Sequence, residues 1–447
     1  MDRPPFSQLE SECTSIDRLY RRVSWRLLPI LFLCYLINFI DRVNIGFAQL
    51  QMKSSLGFSD AVYGVAAGIF FIGYFIFEVP SNLMLRRMGA RATLLRIMVL
   101  WGVASAATMF VRTPGQFYLA RCLLGIFEAG FAPGVLLYLA MWFPPQRRAR
   151  VMALFLMATV VAGILVGPAS GWILYTLNGW KGFEGWQWMF LLSGLPAIAL
   201  GVIVFLVLPD TPSRASWLTA AERDTLAREN ADGLRMDGTE LAGLRRVLLD
   251  PTVYLLCFTL FTVFCGAYFL SFWTPSLIRS LNVGDVRVLG LYSAVPSVVA
   301  ALAMYFWGLH SDATGERRIH FVLSVAIAAG GIIAVSQTQS VVAMLVALSI
   351  ANAGIYSSIP VFWAVATVRL SGERSAAGIA LIASLSSLAG VVSPVAIGAL
   401  KTRTGSMNGG LVMTAVVLMV GASVLWLVSR GSPVRKSASE AGCNIPQ

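Results

Sequence analysis

Charge is what this chain has least of: Asp, Glu, Lys and Arg make up 13% of it, against about 25% in an ordinary soluble domain. A soluble globule of this length has no place for 57% hydrophobic residues, so the composition calls for a bilayer as solvent. Histidine is nearly absent. His310 and His320 are the only two, both at one loop, and no metal constellation follows. The six cysteines form no CxxC pair; Cys34, Cys122, Cys257 and Cys265 lie in apolar runs, and Cys13 and Cys443 lie in the tails. Neither a disulfide framework nor a zinc site is indicated. P-loop, nucleophile elbow and glycine-rich dinucleotide turn are all missing from any plausible context, so neither ATP-driven work nor a cofactor is expected. No cleavable leader is visible, because the first two dozen residues are polar and the first apolar run is long enough to stay as a span. The net charge of +12 comes without a basic stripe interleaved with aromatics, which sets nucleic acid aside.

Long apolar runs are what the chain does have. A helix needs about 20 such residues to cross the hydrocarbon core. Runs of that kind fall at 25–48, 61–84, 92–111, 115–142, 150–176 and 187–208, then at 253–278, 288–308, 319–337, 341–366, 376–400 and 409–429. They do not alternate polar with apolar, as β-barrel strands would. The expected fold is therefore an all-α integral membrane protein of twelve transmembrane helices in two six-helix bundles. The bundles are expected at 25–208 and 253–429, with a tail at 1–24, a linker at 209–252 and a second tail at 430–447.

Orientation follows from the short loops. With both termini in the cytoplasm, the inner segments hold sixteen basic residues: Arg18, Arg21, Arg22, Arg86, Arg87, Arg91, Arg147, Arg148, Arg150, Arg317, Arg318, Arg369, Arg374, Arg430, Arg435 and Lys436. The outer loops hold seven: Lys53, Arg112, Lys181, Arg279, Arg287, Lys401 and Arg403. That bias predicts cytoplasmic termini. Residues 209–250 carry six Arg and eight Asp or Glu, with an amphipathic stretch around Trp217 to Arg228, and read as a cytoplasmic linker.

The halves share a signature. The loop after span 2 runs from Asn82 through Arg86 and Arg87 to Gly89 and Arg91; the loop after span 8 runs from Gly308 through Asp312 to Gly315, Arg317 and Arg318. Each places a glycine seven residues after its first position beside clustered basic residues. Equivalent loops in two halves point to a parallel duplication, which is a transporter architecture.

An ionised side chain at mid-helix costs about 2.5–3.5 kcal/mol on insertion scales, so charges inside the spans mark function or pairing. Span 1 carries Asn38, Asp41 and Asn44 on one face, with Arg42 one residue round. Span 4 carries Arg121, Gly125 and Glu128 on one face, the two charges about 10.5 Å apart along the axis, so they are not expected to satisfy each other. A packing salt bridge would account for either group. Cations for a carboxylate beside acids for protons would account for both together. Glu78, near the inner end of span 2 before Pro80, reads as a gate or loop lock rather than a ligand. Gly163, Gly167 and Gly171 make a smooth face on span 5 for close helix contact, and Pro168 permits a kink that could act as a hinge.

Several strings together resemble the major facilitator superfamily, and within it the anion:cation symporter family and its tartrate-transporter-like members. They are Asn38-Phe-Ile-Asp41-Arg42-Val-Asn44-Ile-Gly46, Gly73-Tyr74-Phe-Ile-Phe-Glu78-Val-Pro80-Ser81-Asn82 and Arg121-Cys-Leu-Leu-Gly125-Ile-Phe-Glu128-Ala-Gly130. Gly185-Trp186-Gln187-Trp188, Leu208-Pro209-Asp210-Thr-Pro212, Ser271-Phe272-Trp273-Thr-Pro275 and Gly378-Ile-Ala-Leu add to them. The resemblance covers nearly all of residues 18–430. It implies proton-coupled uptake of an organic anion such as tartrate, a sugar acid or an aromatic acid. Asp41 and Glu128 would then be the proton-coupling acids, with Arg42, Arg121, Tyr74, Asn38, Tyr268, Trp363 and Ser387 around the substrate. Glu78, Arg86, Arg87, Gly89, Gly163, Gly167, Pro168, Asp312 and Gly315 would be gating or structural.

The sequence departs from that family at three places. Arg86 stands where the superfamily's loop motif usually has an acid, and Phe39 stands where relatives often have tyrosine. Ala383 and Ser387 stand where they commonly have asparagine. Losing those amides removes donors for hydroxyl-rich substrates and opens the site to a less hydroxylated or aromatic acid. The expected partners are a small organic anion, protons and the lipid bilayer, with the chain acting as a monomer in a bacterial inner membrane. An organic-anion exchanger or drug-type antiporter of the same fold is the competing reading. A membrane enzyme or sensor would need a catalytic constellation or a signalling domain, and the sequence supplies neither.

Overall fold

The computed structural model describes residues 6–230, 246–370 and 375–429. The tail expected at 430–447, linker residues 231–245, Arg374 and the side chain of Arg86 lie outside the described part. Twelve helices are long and apolar enough to cross a membrane. They are span 1 (Ile16–Ser55), span 2 (Asp60–Leu85), span 3 (Ala90–Phe110), span 4 (Pro114–Trp142), span 5 (Gln146–Thr176) and span 6 (Gly185–Val207). The second half has span 7 (Pro251–Arg279), span 8 (Val286–Thr314), span 9 (Arg317–Gln337), span 10 (Val341–Arg369), span 11 (Ala377–Thr404) and span 12 (Asn408–Val428). All twelve expected runs are there, and no strand occurs among the described residues.

Polar caps end these helices where water begins, because four N–H groups at each helix start lack internal partners. Thr113 and Gln116 form a reciprocal capping box at span 4, and Glu184 and Gln187 form another at span 6. Ser59, Asp285 and Ser340 cap spans 2, 8 and 10 with their side chains.

The packing repeats between the halves. Spans 1 and 5, 2 and 4, and 3 and 6 lie against each other in the first half; spans 7 and 11, 8 and 10, and 9 and 12 do so in the second. The duplication signalled by the two loops is thus present in the helix contacts. Gly89 (φ 84°) and Gly315 (φ 69°) both close a helix in a backbone region that L side chains avoid. A Cβ on Gly89 would also lie 2.6 Å from Asp210 Oδ1. That carboxylate accepts from the Arg91 amide at 3.0 Å and sits at the positive end of span 3. In the second loop Asp312 pairs with Arg317 at 2.5 Å. Arg87 is exposed.

The bundles meet along two seams, span 5 against span 8 and span 2 against span 11. Added Cβ atoms on Gly167 and Gly290 would fall 2.4 Å and 2.3 Å from each other's carbonyl oxygens, and one on Gly171 would fall 2.5 Å from Val286 O. Across the second seam, a Cβ on Gly64 would lie 2.3 Å from Pro394 O, and one on Gly398 2.5 Å from Asp60 O. Backbones this close exclude any side chain. The glycine face of span 5 was legible in the sequence, but its members differ. Gly163 meets Ser297 only at an ordinary 3.5 Å.

Three spans are interrupted. Pro168 sits inside an unbroken helix, since one lost hydrogen bond does not end a helix packed on both sides. Span 4 is instead two helices, Pro114–Glu128 and Phe131–Trp142, separated at Ala129 (ψ 132°) and Gly130 (φ 85°). Spans 1 and 11 divide at Asn44 and Leu388.

The start of the linker is docked on the first bundle. Trp217 stacks on Trp142 at 5.9 Å and 7° and lies under the Arg26 guanidinium at 5.1 Å. Helix Ala220–Asn230 follows, with Glu222 paired to Arg22 and Glu229 accepting from Tyr20 Oη at 2.6 Å.

The seams give a direct test. Gly167→Val and Gly290→Val are each expected to destabilise the folded protein by about 1–3 kcal/mol through overpacking. Gly163→Ala, which meets nothing closer than 3.5 Å, should leave the thermal unfolding midpoint in detergent at the wild-type value. Equal losses in all three would show that the seam contacts do not hold the bundles.

Candidate functional site

The intramembrane charges of the first half converge. Asn38, Asp41, Asn44, Arg121 and Glu128 are each no more than 1% exposed. Glycines make this possible: a Cβ on Gly125 would stand 2.0 Å from Phe70 O, and one on Gly73 would stand 2.7 Å from Cys122 O. Spans 2 and 4 therefore touch backbone to backbone. Phe70 is carried between two guanidiniums, Arg121 Cζ 5.0 Å and Arg42 Cζ 5.3 Å from its ring centre. Tyr74, one turn on, lies under Arg42 at 5.0 Å.

Glu128 is the last residue of the first half of span 4, where the helix breaks. Arg42 reaches it from span 1 with Nε at 3.1 Å and with Nη2 as well, both on Oε1. The cation thus meets both a carboxylate and the negative end of a helix. Arg42 retains 14% side-chain exposure while Glu128 has none. This pair is the accessible edge of the cluster.

Asp41 is held differently. Its Oδ1 accepts from Ser105 Oγ of span 3 and Ser193 Oγ of span 6, each at 2.6 Å, and from Asn44 Nδ2 at 3.3 Å. No cation lies within ion-pair distance of it among the described residues. Nor has Arg121 a hydrogen bond: Nε, Nη1 and Nη2 are all buried without a partner. The acids whose charges act on Arg121 are Asp41 and Glu128. Both polar atoms of Asn38, Asp41 Oδ2 and Glu128 Oε2 are likewise unpartnered. Buried polar groups in folded proteins are nearly all bonded, so a concentration of unmet ones calls for a functional explanation. The arrangement can hold a carboxylate on fixed guanidiniums and offers two acids, one by a cation and one among hydroxyls, to hold a proton.

A cavity of about 50 Å³ is lined by residues of both bundles. Phe39, Val43 and Phe47, one turn apart on span 1, line it together with Ser271, Thr274, Ser293, Ser297, Asn352 and Tyr356. Water occupies about 30 Å³ a molecule, so this volume takes one or two waters.

The other candidates are placed as follows. Tyr268 stacks on Phe272 at 5.9 Å and meets Phe71 edge-on at 4.6 Å, at the boundary between the bundles. Trp363 packs on Phe362 at 5.5 Å and, among the described residues, shares no hydrogen bond or ring contact with the charged cluster. Ser387 Oγ donates to Ser384 O of its own helix at 2.7 Å. Ser384, also on span 11, reaches the first half, at 3.5 Å from Glu78 Oε2. Glu78 thus touches the opposite bundle. Sequence reading did not single out Phe70, Ser105 or Ser193. A lone serine in an apolar run carries no signal until its neighbours in space are known.

The cluster makes a stability prediction. Arg42→Leu orphans the buried Glu128 carboxylate and is expected to cost about 3–5 kcal/mol. Arg121→Leu breaks no hydrogen bond and should cost far less. Thermal unfolding of the two variants in detergent checks this, and a larger loss in Arg121→Leu would contradict it.

Residues 31–394 match the sequence profile described as Major Facilitator Superfamily. An Agrobacterium vitis protein named "Putative tartrate transporter" is 44% identical over 416 residues, covering 93% of this chain and 92% of that protein. A "Quinolone resistance transporter" of Acinetobacter baumannii is 37% identical, covering 91% of this chain and 94% of its own. Among solved structures, a bacterial homolog of the human lysosomal transporter Spinster, inward-facing and occupied, superposes with TM-score 0.75 at 19% identity. That likeness covers 90% of this chain and 96% of the other and concerns the fold.

Proposed function

This chain belongs to the Major Facilitator Superfamily, and we propose that it takes up a small organic carboxylate together with protons by alternating access. It is a multi-pass membrane transport protein and not an enzyme. The observation that carries the finer reading is Arg121, a fully buried guanidinium with none of its nitrogens bonded, beside the Arg42–Glu128 pair. A cation buried without a partner is costly, and a substrate carboxylate would supply the missing acceptors.

Coupling follows from competition. A carboxylate that reaches Arg42, the more accessible cation, draws it from Glu128. A buried carboxylate without its cation takes a proton rather than stay charged. Substrate and proton then occupy the cluster together, and the net charge that must cross falls. Asp41, fixed by two hydroxyls, serves as the second acid.

The substrate is a tartrate-like, sugar or aromatic acid. The relative named for tartrate supports the first. Hydroxyl recognition is assigned to Ser271, Thr274, Ser297 and Asn352 on spans 7, 8 and 10 rather than to span 11, where Ser387 is already bonded and position 383 is alanine. The setting is a bacterial inner membrane, with both termini and the 209–252 linker on the cytoplasmic side and the chain acting as a monomer. Exchange or drug-type antiport is the second reading, favoured by the relative named for quinolone resistance.

Liposome uptake tests the proposal. Under an imposed inward proton gradient the wild type should accumulate at least one acid from a panel of tartrate, sugar acids and aromatic acids. Glu128→Gln should lose gradient-driven accumulation by about 100-fold while still exchanging substrate in counterflow. Arg121→Ala should lose substrate binding itself. Full accumulation by Glu128→Gln would move coupling to Asp41, and wild-type counterflow indifferent to any proton gradient would favour the exchanger.

A further inference from the structure

A second polar site lies at the other end of the molecule from the linker helix, where span 1 meets span 2. Asp60, the first residue of span 2 and 7% exposed, has both carboxylate oxygens engaged. Lys53 Nζ lies 2.8 Å from Oδ2, and Lys401 Nζ and Gln49 Nε2 lie 2.9 Å and 2.7 Å from Oδ1. Lys53, Gln49 and Asp60 belong to the first bundle and Lys401 to the second. The ion pair therefore ties the halves together at this end. Ser276 Oγ to Gln49 Oε1 at 3.1 Å and the Ala61 amide to Thr402 Oγ1 at 2.8 Å cross the same boundary.

Beside this tie is an open cavity of about 350 Å³, lined by Gln49, Lys53, Asp60, Ser276, Arg279 and Lys401 among others. Its lining carries three cations and one acid. Arg279 gives Nη1 to the backbone oxygens of Val283 and Gly284, at 2.8 Å and 2.6 Å, and has no acidic partner among the described residues. Unlike the 50 Å³ cavity at the centre, this one has room for a small acid.

The tie continues inward. Lys401 Nζ lies 5.0 Å above the Trp273 ring. That ring is fully buried and meets Tyr63 edge-on at 5.0 Å, and Tyr63 Oη donates to Phe272 O at 3.0 Å. Two aromatic rings from opposite bundles thus pack together next to Lys401. Gln49 and Arg42 are seven residues apart on span 1, about 10.5 Å of helix.

We propose that this cavity is an anion-capture vestibule in which an incoming small organic carboxylate takes Lys401 and Lys53 from Asp60, unlatching the bundles at this end and freeing the Trp273–Tyr63 pair. The chemistry is a competition of carboxylates for the same two ammonium groups, with Arg279 as the cation that first attracts the anion. No covalent step is involved. The latch selects for anions because a cation or neutral solute has nothing to offer the lysines. The capture step rests on the carboxylate reading of the central site; the latch does not.

The test uses the full-length chain in liposomes, with spin labels introduced through unnatural amino acids at Ser55 and Thr404, which are exposed and lie in opposite bundles. Distances between them are measured with and without tartrate. Without ligand, Asp60→Asn and Lys401→Gln should each raise the long-distance population by about fivefold, the order expected for losing an ion pair of this kind. Tartrate should widen the wild type and still widen Arg121→Gln, whose central site is disabled. Arg279→Gln, which leaves the latch intact, should need about three- to tenfold more tartrate for the same effect.

Ligand-free distances unchanged in both latch variants would overturn the latch. A tartrate response abolished by Arg121→Gln would overturn the vestibule, since opening would then be driven from the centre. Failure of the carboxylate reading looks different. Every acid of the panel would leave both distances and uptake unchanged in the wild type while Asp60→Asn still widened them, which overturns the capture step together with that reading.

Discussion

The ion pair between Arg42 and Glu128 is the contact on which the rest of the central site depends. Four ionisable groups, Asp41, Arg42, Arg121 and Glu128, are gathered in one apolar bundle. Each would cost about 2.5–3.5 kcal/mol alone in a spanning helix. Gathered, they balance in charge, and only the Arg42–Glu128 contact is a direct pair. The others are held by hydroxyls and by ring faces. Such a cluster is stable enough to fold and short of partners, which is the condition for binding something that supplies them.

Helix backbones had to come unusually close to build it. Glycine at 125 and 73 lets spans 2 and 4 touch, and the break at Ala129–Gly130 puts Glu128 at a helix end rather than in a continuous turn. The same device, glycine against a carbonyl, forms the two seams between bundles at Gly167–Gly290 and Gly64–Pro394. Smooth seams of this kind have little side-chain interdigitation to undo when one bundle rocks on the other. Directional contacts, such as the Asp60–Lys401 pair, also join the bundles.

Much of this was readable in the chain. Twelve apolar runs gave twelve spans, because a bilayer leaves a continuous helix as the ready way to satisfy the backbone. The polar face of span 1 and the charges of span 4 stood out because charges inside apolar runs are rare. Their pairing did not. Arg42 with Glu128 depends on how spans 1, 2 and 4 meet, which no local pattern encodes. The break in span 4 was missed although Gly130 was in view, because glycine is common in membrane helices and alone does not signal an interruption. Ser387 donates its hydroxyl to Ser384 O of its own helix, a bond that no local pattern reveals.

In the proposed mechanism, substrate carboxylate and Glu128 compete for the same guanidinium, so that binding one acid protonates the other. Proton uptake on binding measures this without any gradient or transport. Purified protein in weakly buffered detergent, with a pH indicator, is titrated with a carboxylate that it binds. The account predicts close to one proton taken up for each carboxylate bound by the wild type, and none by Glu128→Gln at saturating substrate. Carboxylate binding by the wild type with no change in bound protons would contradict it.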